Sequence, residues 1–159
     1  MDHPGTCEVY LQEHLLHPLN IPTDRYFSFQ SNAVDPQQEC VRVQQLLQQE
    51  GPIDLCILGL GVNGHLAFNE PGAFLHPHCH IAQLTEDSLG HSMAKDMQGV
   101  ELYGLTLGMS DILAAREILL LISGPSKVEI TQRLLEAKIS TQLPASFLWL
   151  HPNVRVLIQ

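Results

Sequence analysis

Basic side chains are scarce in this sequence. Lysine and arginine number 8 against 17 aspartates and glutamates, a formal net charge of −9 with histidine neutral. A nucleic-acid surface needs a basic stripe that displaces counterions from phosphates, so the balance argues against DNA or RNA as a partner. A small anionic ligand is not excluded, because a few local donors can bind an anion inside a pocket. No apolar run reaches 18 residues, and the chain does not open with a basic stretch followed by an apolar one. No membrane partner and no secretory leader are therefore expected. The four cysteines, at 7, 40, 56 and 79, include no C-x-x-C pair. Reduced, buried thiols in a cytoplasmic protein are the expectation. Internal repeats, low-complexity tracts and linkers are also absent. What is present is 159 residues, 45% of them apolar, which is enough for one domain, 1–159, with a real core.

The apolar stripe Val9, Leu11, Leu15 and Leu16 predicts a helix from about Thr6 to His17, stopped by Pro18. "YFSF" at 26–29 is a short strand candidate. "DPQQECVRVQQLLQQEG" reads as a helix with Asp35 as N-cap, Pro36 at its first position, Gln38 three residues after the cap and Gly51 at its end. "IDLCILGLG" follows as a continuous apolar run, the pattern of a strand buried on both faces of a parallel sheet. "HIAQL", "LYGLTLG", "EILLLIS" and "VRVLI" are further strands, with helices around 85–96, 110–115 and 125–138. Alternating strands and helices imply an α/β, three-layer, Rossmann-like fold with a mainly parallel sheet. Doubly wound folds usually begin with a strand. No strand is predicted before Tyr26, so an amino-terminal portion beyond these residues is expected.

Gly59, Gly61 and Gly64 match the G-x-G-x-x-G fingerprint of dinucleotide-binding proteins. That fingerprint needs a long helix opening at the third glycine, with an acidic residue about 20 positions on. Here Pro71 arrives seven residues after Gly64, and Asn69 and Gly72 also favour a turn. The nucleotide reading is set aside. A turn with no task beyond turning is the plain alternative, but Asn63, His65 and Glu70 crowd the carboxyl end of a predicted strand, where α/β sheets bind ligands. Gly61 and Gly64 allow backbone N–H groups to approach a ligand closely. A histidine there can move protons near neutral pH, and a carboxylate five residues on can orient it. The residues point to a small-molecule proton-transfer site.

"LGLGVNGHLAFNEPG" closely resembles the signature of the glucosamine-6-phosphate deaminases, the isomerising deaminases of amino-sugar phosphates. "HPGTCEVYLQEHLLHPLNIP", "LTLGMSDILAAREILLLISGPSK" and "PASFLWLHPNV" extend the resemblance over nearly all of the chain. The "PGTCE" and "PASFLWLH" segments look closest to the galactosamine-6-phosphate isomerase branch. The resemblance implies a ketose 6-phosphate and ammonia as products, with no metal or other cofactor. It assigns ring opening to His65, with Glu70 setting the imidazole's tautomer and charge, and sugar-phosphate binding to Lys127. Position 63, usually Asp in the family, is Asn63 here, and its amide is expected to hold the imidazole by a hydrogen bond. The family's phosphate-binding arginine falls within Asp87–Lys95, where this chain has none and offers only His91 or Lys95. Its C2–C1 proton-transfer aspartate, amino-terminal strands and phosphate loop have no counterpart in these residues, so the chain resembles the carboxyl-terminal two-thirds of a member. Turnover impaired by truncation is one consequence. An inactive remnant acting as a binding or assembly module is the alternative, and a phosphogluconolactonase-like hydrolase is a distant third. A homo-oligomer is compatible with the family, and the galacto or gluco identity of the substrate stays open.

His76, His78 and His80 alternate in "LHPHCHI", so a strand would show them on one side, where with Cys79 they could bind zinc. No fourth, distant ligand is apparent. His3, His14, His17 and His151 read as surface or packing residues, Trp149 as core, and Asp111 as a helix-start residue near a Ser110 cap.

Overall fold

Asp35 begins the longest helix of the computed structural model, α2 (Pro36–Glu50), and its carboxylate accepts the N–H groups of Gln37 and Gln38 at 2.9 and 3.1 Å. Those are orphan donors of the first turn. Pro36 stands where no N–H is needed, and Gly51 ends the helix with φ 92°. The structure describes residues 7–30, 32–83 and 103–159. The helix predicted around 85–96, together with His91 and Lys95, lies outside them. The first predicted helix is present as α1 (Cys7–Leu11), which widens into a π-helical turn at Gln12–Leu16.

"YFSF" is not a strand. It has extended backbone with no ladder, held by side chains of α2. Glu39 accepts the Gln30 N–H at 2.6 Å, and Arg42 donates both to Glu39 and to the Ser28 carbonyl. Apolar alternation reports a pleated conformation; it cannot report whether a neighbouring strand is within reach.

β1 (Leu55–Gly59), β4 (Glu117–Ile122) and β5 (Val154–Ile158) form a parallel sheet in the order β1-β4-β5. β2 (His80–Gln83) and β3 (Tyr103–Thr106) pair antiparallel beside it. Two helices complete the frame, α3 (Met109–Leu113) and α4 (Val128–Leu135), the latter entered through a 3-10 turn at Pro125–Lys127. The class is α/β with a mainly parallel, Rossmann-like sheet, as the strand–helix alternation implies. One core cluster joins Cys56, Ile118, Leu120 and Ile122 of the sheet to Met109 and Ile112 of α3, and to Ile130 and Leu134 of α4. β1 departs from expectation: Cys56 is buried, but Leu55 and Ile57 on the other side are exposed. Its apolar run fits a two-sided burial that these residues supply on one side only.

Beyond β5 an apolar cavity of about 270 Å³ is lined by Leu134, Leu148, Trp149, Val156 and Ile158. Cys40 and Cys56 are buried, and they and Cys79 are free thiols. Among the described residues, no helix is long and apolar enough to cross a membrane.

Candidate functional site

β1 delivers the chain into the glycine turn. The Gly61 N–H donates to the His65 carbonyl and the Gly64 N–H to the Gly61 carbonyl, both at 3.0 Å. The expectation that these glycines offer N–H groups to a ligand is corrected, since both donors are spent inside the turn. What they supply is space. A Cβ on Gly61 would overlap the His65 ring, and one on Gly64 would overlap Leu143. Gly64 also has φ 89°, a left-handed conformation that glycine adopts without strain. Its carbonyl accepts the Ala145 N–H at 2.9 Å, tying the turn to the segment before β5.

The structure brings three of the predicted side chains together. His65 Nδ1 lies 3.5 Å from Glu70 Oε2, and both side chains are largely buried. Asn63 Nδ2 donates to the same Glu70 oxygen at 2.8 Å, while Asn63 Oδ1 accepts the His65 backbone N–H at 3.1 Å. Asn63 thus does not hold the imidazole ring; it holds the carboxylate that faces the ring, and the backbone that carries it. With Nδ1 turned to Glu70 as donor, Nε2 is left as the basic nitrogen of a neutral imidazole.

Asn69, read from the sequence only as a turn residue, is a positioning residue that sequence reasoning missed. It is buried, and its Nδ2 donates to the carbonyls of Leu66 and Leu107 at 3.0 and 2.9 Å. This fastens the loop carrying Glu70 to the end of β3. The Phe68 N–H donates to Thr106 Oγ1 at 3.3 Å and the Phe68 ring covers Gly104, which has no room for a side chain. The only signal in the sequence was an amide next to Glu70 in a turn that offers more backbone acceptors than it can satisfy itself.

Lys127 closes the 3-10 turn and caps α4, whose Ile130 packs against the Gly64 position. Desolvation holds the Lys127 ammonium below the usual lysine range. Its carbonyl accepts Thr131 Oγ1 at 2.6 Å. A cation at a helix start, over unbonded N–H groups, suits an anionic group.

The histidine row is split. His76 and His80 stack with ring centroids 4.4 Å apart, whereas His78 turns to Asp111 at 3.1 Å. Only His80 lies in a strand, so the shared side that zinc would need is not formed. Among the described residues, no three His, Cys, Asp or Glu side chains are gathered to hold a metal. Asp111 is also corrected: Gly108, not Ser110, caps α3, and Asp111 at the third helical position accepts the Gly108 N–H at 3.1 Å. It takes Gln44 Nε2 as well, at 3.0 Å. Burial first, then the Asp111 charge, pushes the Cys79 thiol up to about 12, which keeps it protonated and unreactive.

Known proteins share this arrangement. The chain is 50% identical over 155 residues to "Putative deaminase AgaI" of Escherichia coli (strain K12), covering 98% of this chain and 61% of that protein. Glucosamine-6-phosphate deaminase 1 of Bacillus subtilis (strain 168) is 38% identical over 159 residues, covering 99% and 66%. The solved structure of a monomeric glucosamine-6-phosphate deaminase superposes with a TM-score of 0.91 at 38% identity, covering 99% of this chain and 66% of that one. A 6-phosphogluconolactonase from Thermotoga maritima shares the fold at a TM-score of 0.69 and 19% identity, covering 94% and 63%. The chain thus spans about 61–66% of the length of these deaminase relatives. The model of glucosamine-6-phosphate isomerases/6-phosphogluconolactonase matches residues 1–157, and with the glycine turn standing where that sheet delivers it, the chain belongs to this family.

Proposed function

We propose that this chain carries the ring-opening and phosphate-binding part of an amino-sugar-6-phosphate isomerase/deaminase site. The substrate is glucosamine 6-phosphate or galactosamine 6-phosphate, and the products are a ketose 6-phosphate and ammonia. The observation that carries the reading is the His65–Glu70–Asn63 cluster beyond the carboxyl end of a parallel strand. The relatives named as deaminases of this substrate class support it.

In this reading His65 Nε2 takes the proton of the sugar's C1 hydroxyl and returns it to the ring oxygen as the C1–O5 bond breaks. Glu70 stabilises the imidazolium in between, and Asn63 keeps the carboxylate in place. Catalytic hydrogen bonds are often long without substrate, so the 3.5 Å approach of His65 to Glu70 is one that binding can tighten. Lys127 takes the 6-phosphate, and Gly61 and Gly64 shape the pocket by having no side chains. Moving the C2 proton to C1 then gives an imine at C2, which water hydrolyses to the ketose and ammonia. No residue of this chain is assigned to that transfer. We place the protein in the cytoplasm, consistent with its free thiols, and assign it no metal, cofactor, nucleic acid or membrane.

A second reading, an inactive assembly module, is favoured by the exposed apolar side of β1. Ammonia release from both hexosamine 6-phosphates separates the two, measured beside binding of each sugar by calorimetry. Activity or binding that falls at least 100-fold in His65→Ala supports the site, on the scale expected for a lost acid–base group. A folded protein that binds neither sugar overturns it.

A further inference from the structure

The parallel sheet has one closed face and one open one. On the closed face Cys56, Ile118, Leu120 and Ile122 are at most 8% exposed. The alternate side chains emerge on the other face: Ile57 and Leu157 are each 58% exposed, Leu55 43% and Leu121 42%. The register sets Gly59, Leu121 and Leu157 in one row across the three strands, so these side chains form a continuous patch. Parallel strands occur almost only in sheets covered on both faces.

The outer edge of β1 is also unpaired among the described residues. Sheet edges are usually guarded by charge, proline or a bulge. β5, at the other edge, carries Arg155 in an ion pair with Glu117. "LCILG" carries no such guard. An unguarded apolar edge next to an open apolar face has the character of an interior strand.

The comparisons give the size of the occupant. The solved deaminase keeps the arrangement of 99% of this chain, yet a third of its length lies outside the shared part. It is described as monomeric, so no second copy covers that face there. We infer that the open face and the free edge of β1 form a docking surface for a β–α polypeptide equivalent to that remaining third. Its strand runs parallel beside β1, and its helix lies over Leu55, Ile57, Leu121 and Leu157. Because β1 runs into the Gly61–His65 turn, the added strand ends beside His65 and supplies the other wall of the crevice. The docking rests on sheet geometry alone; only its effect on turnover rests on the function proposed above.

The test mixes the 159-residue protein with a separately produced polypeptide, the segment of the Escherichia coli relative that precedes the shared region. Light scattering reads stoichiometry, and hydrogen exchange reads the amides of residues 55–59. The expected result is a one-to-one complex in which the β1 amides not bonded to β4 exchange at least tenfold more slowly. Ile57→Lys, and separately Leu157→Asp, should weaken the complex at least tenfold while leaving the circular dichroism of the free protein unchanged. No complex, a complex that leaves β1 exchange unaltered, or indifference to both substitutions overturns the docking. So does protection of β1 by self-association of the 159-residue protein alone. Ammonia release is assayed on the same mixture: a complex without turnover overturns the proposed function and leaves the docking standing.

Discussion

Asn63 can be oriented in one way only. A backbone N–H must donate to its Oδ1, and a carboxylate oxygen must accept from its Nδ2, so the amide cannot be flipped without breaking both bonds. Asn63→Asp would set two carboxylates facing each other at the present 2.8 Å. The expected loss is about 1–3 kcal/mol at pH 7, the cost of a spoiled buried bond, shrinking at pH 4 where one carboxyl can carry a proton. Urea unfolding at the two pH values checks this, and an equal loss at both would rule out charge as the cause. The sequence showed which residues meet here, because glycines, His65, Glu70 and Pro71 within one turn leave few arrangements. It did not show which atom bonds which. Asn63 looked like a partner for the ring and became one for the carboxylate, since backbone dihedrals, not residue spacing, decide where a short side chain points.

At the scale of elements, Glu39 stands for what local pattern cannot show. It lies on the first turn of α2, yet it fixes the extended 26–30 segment through Gln30 and shares Arg42 with Ser28. The Arg42 hydrogen bonds, with the Gln30 N–H, hold its carboxyl below the ordinary value of 4.5. A depressed folded-state pKa contributes stability above the unfolded value, and that stability is lost as pH falls through the folded value. Glu39→Gln should therefore cost about 1–3 kcal/mol at pH 7, with the gap to the parent closing as pH falls below 4.5. Thermal melts across that range would reveal a constant gap if packing alone were responsible. The α2 boundaries were legible because Asp35, Pro36 and Gly51 act within four residues of themselves. "YFSF" was misread because its structure is made by residues 9 to 14 positions away.

At the scale of the molecule, the sheet has two faces with different obligations. Leu120 and Leu121 are neighbours of the same type, one buried in the core cluster and one on the open face. Leu120→Ala is expected to cost about 2–5 kcal/mol and Leu121→Ala no more than about 0.5 kcal/mol in the isolated chain. Equal costs in chemical denaturation would mean that something already covers the open face. The α/β class and the parallel order followed from alternating patterns, whereas the one-sided burial of β1 did not, because an apolar run looks alike whether or not its second neighbour is at hand.

Trp149 is the only tryptophan in the sequence. Its indole N–H donates to the Leu134 carbonyl at 2.8 Å, and its ring lines the cavity between α4 and β5. The intrinsic fluorescence of the protein is therefore a one-site signal from the closed side of the sheet. It will shift when α4 leaves β5 and stay constant for events confined to the other side, so any change in emission dates the moment the two layers part.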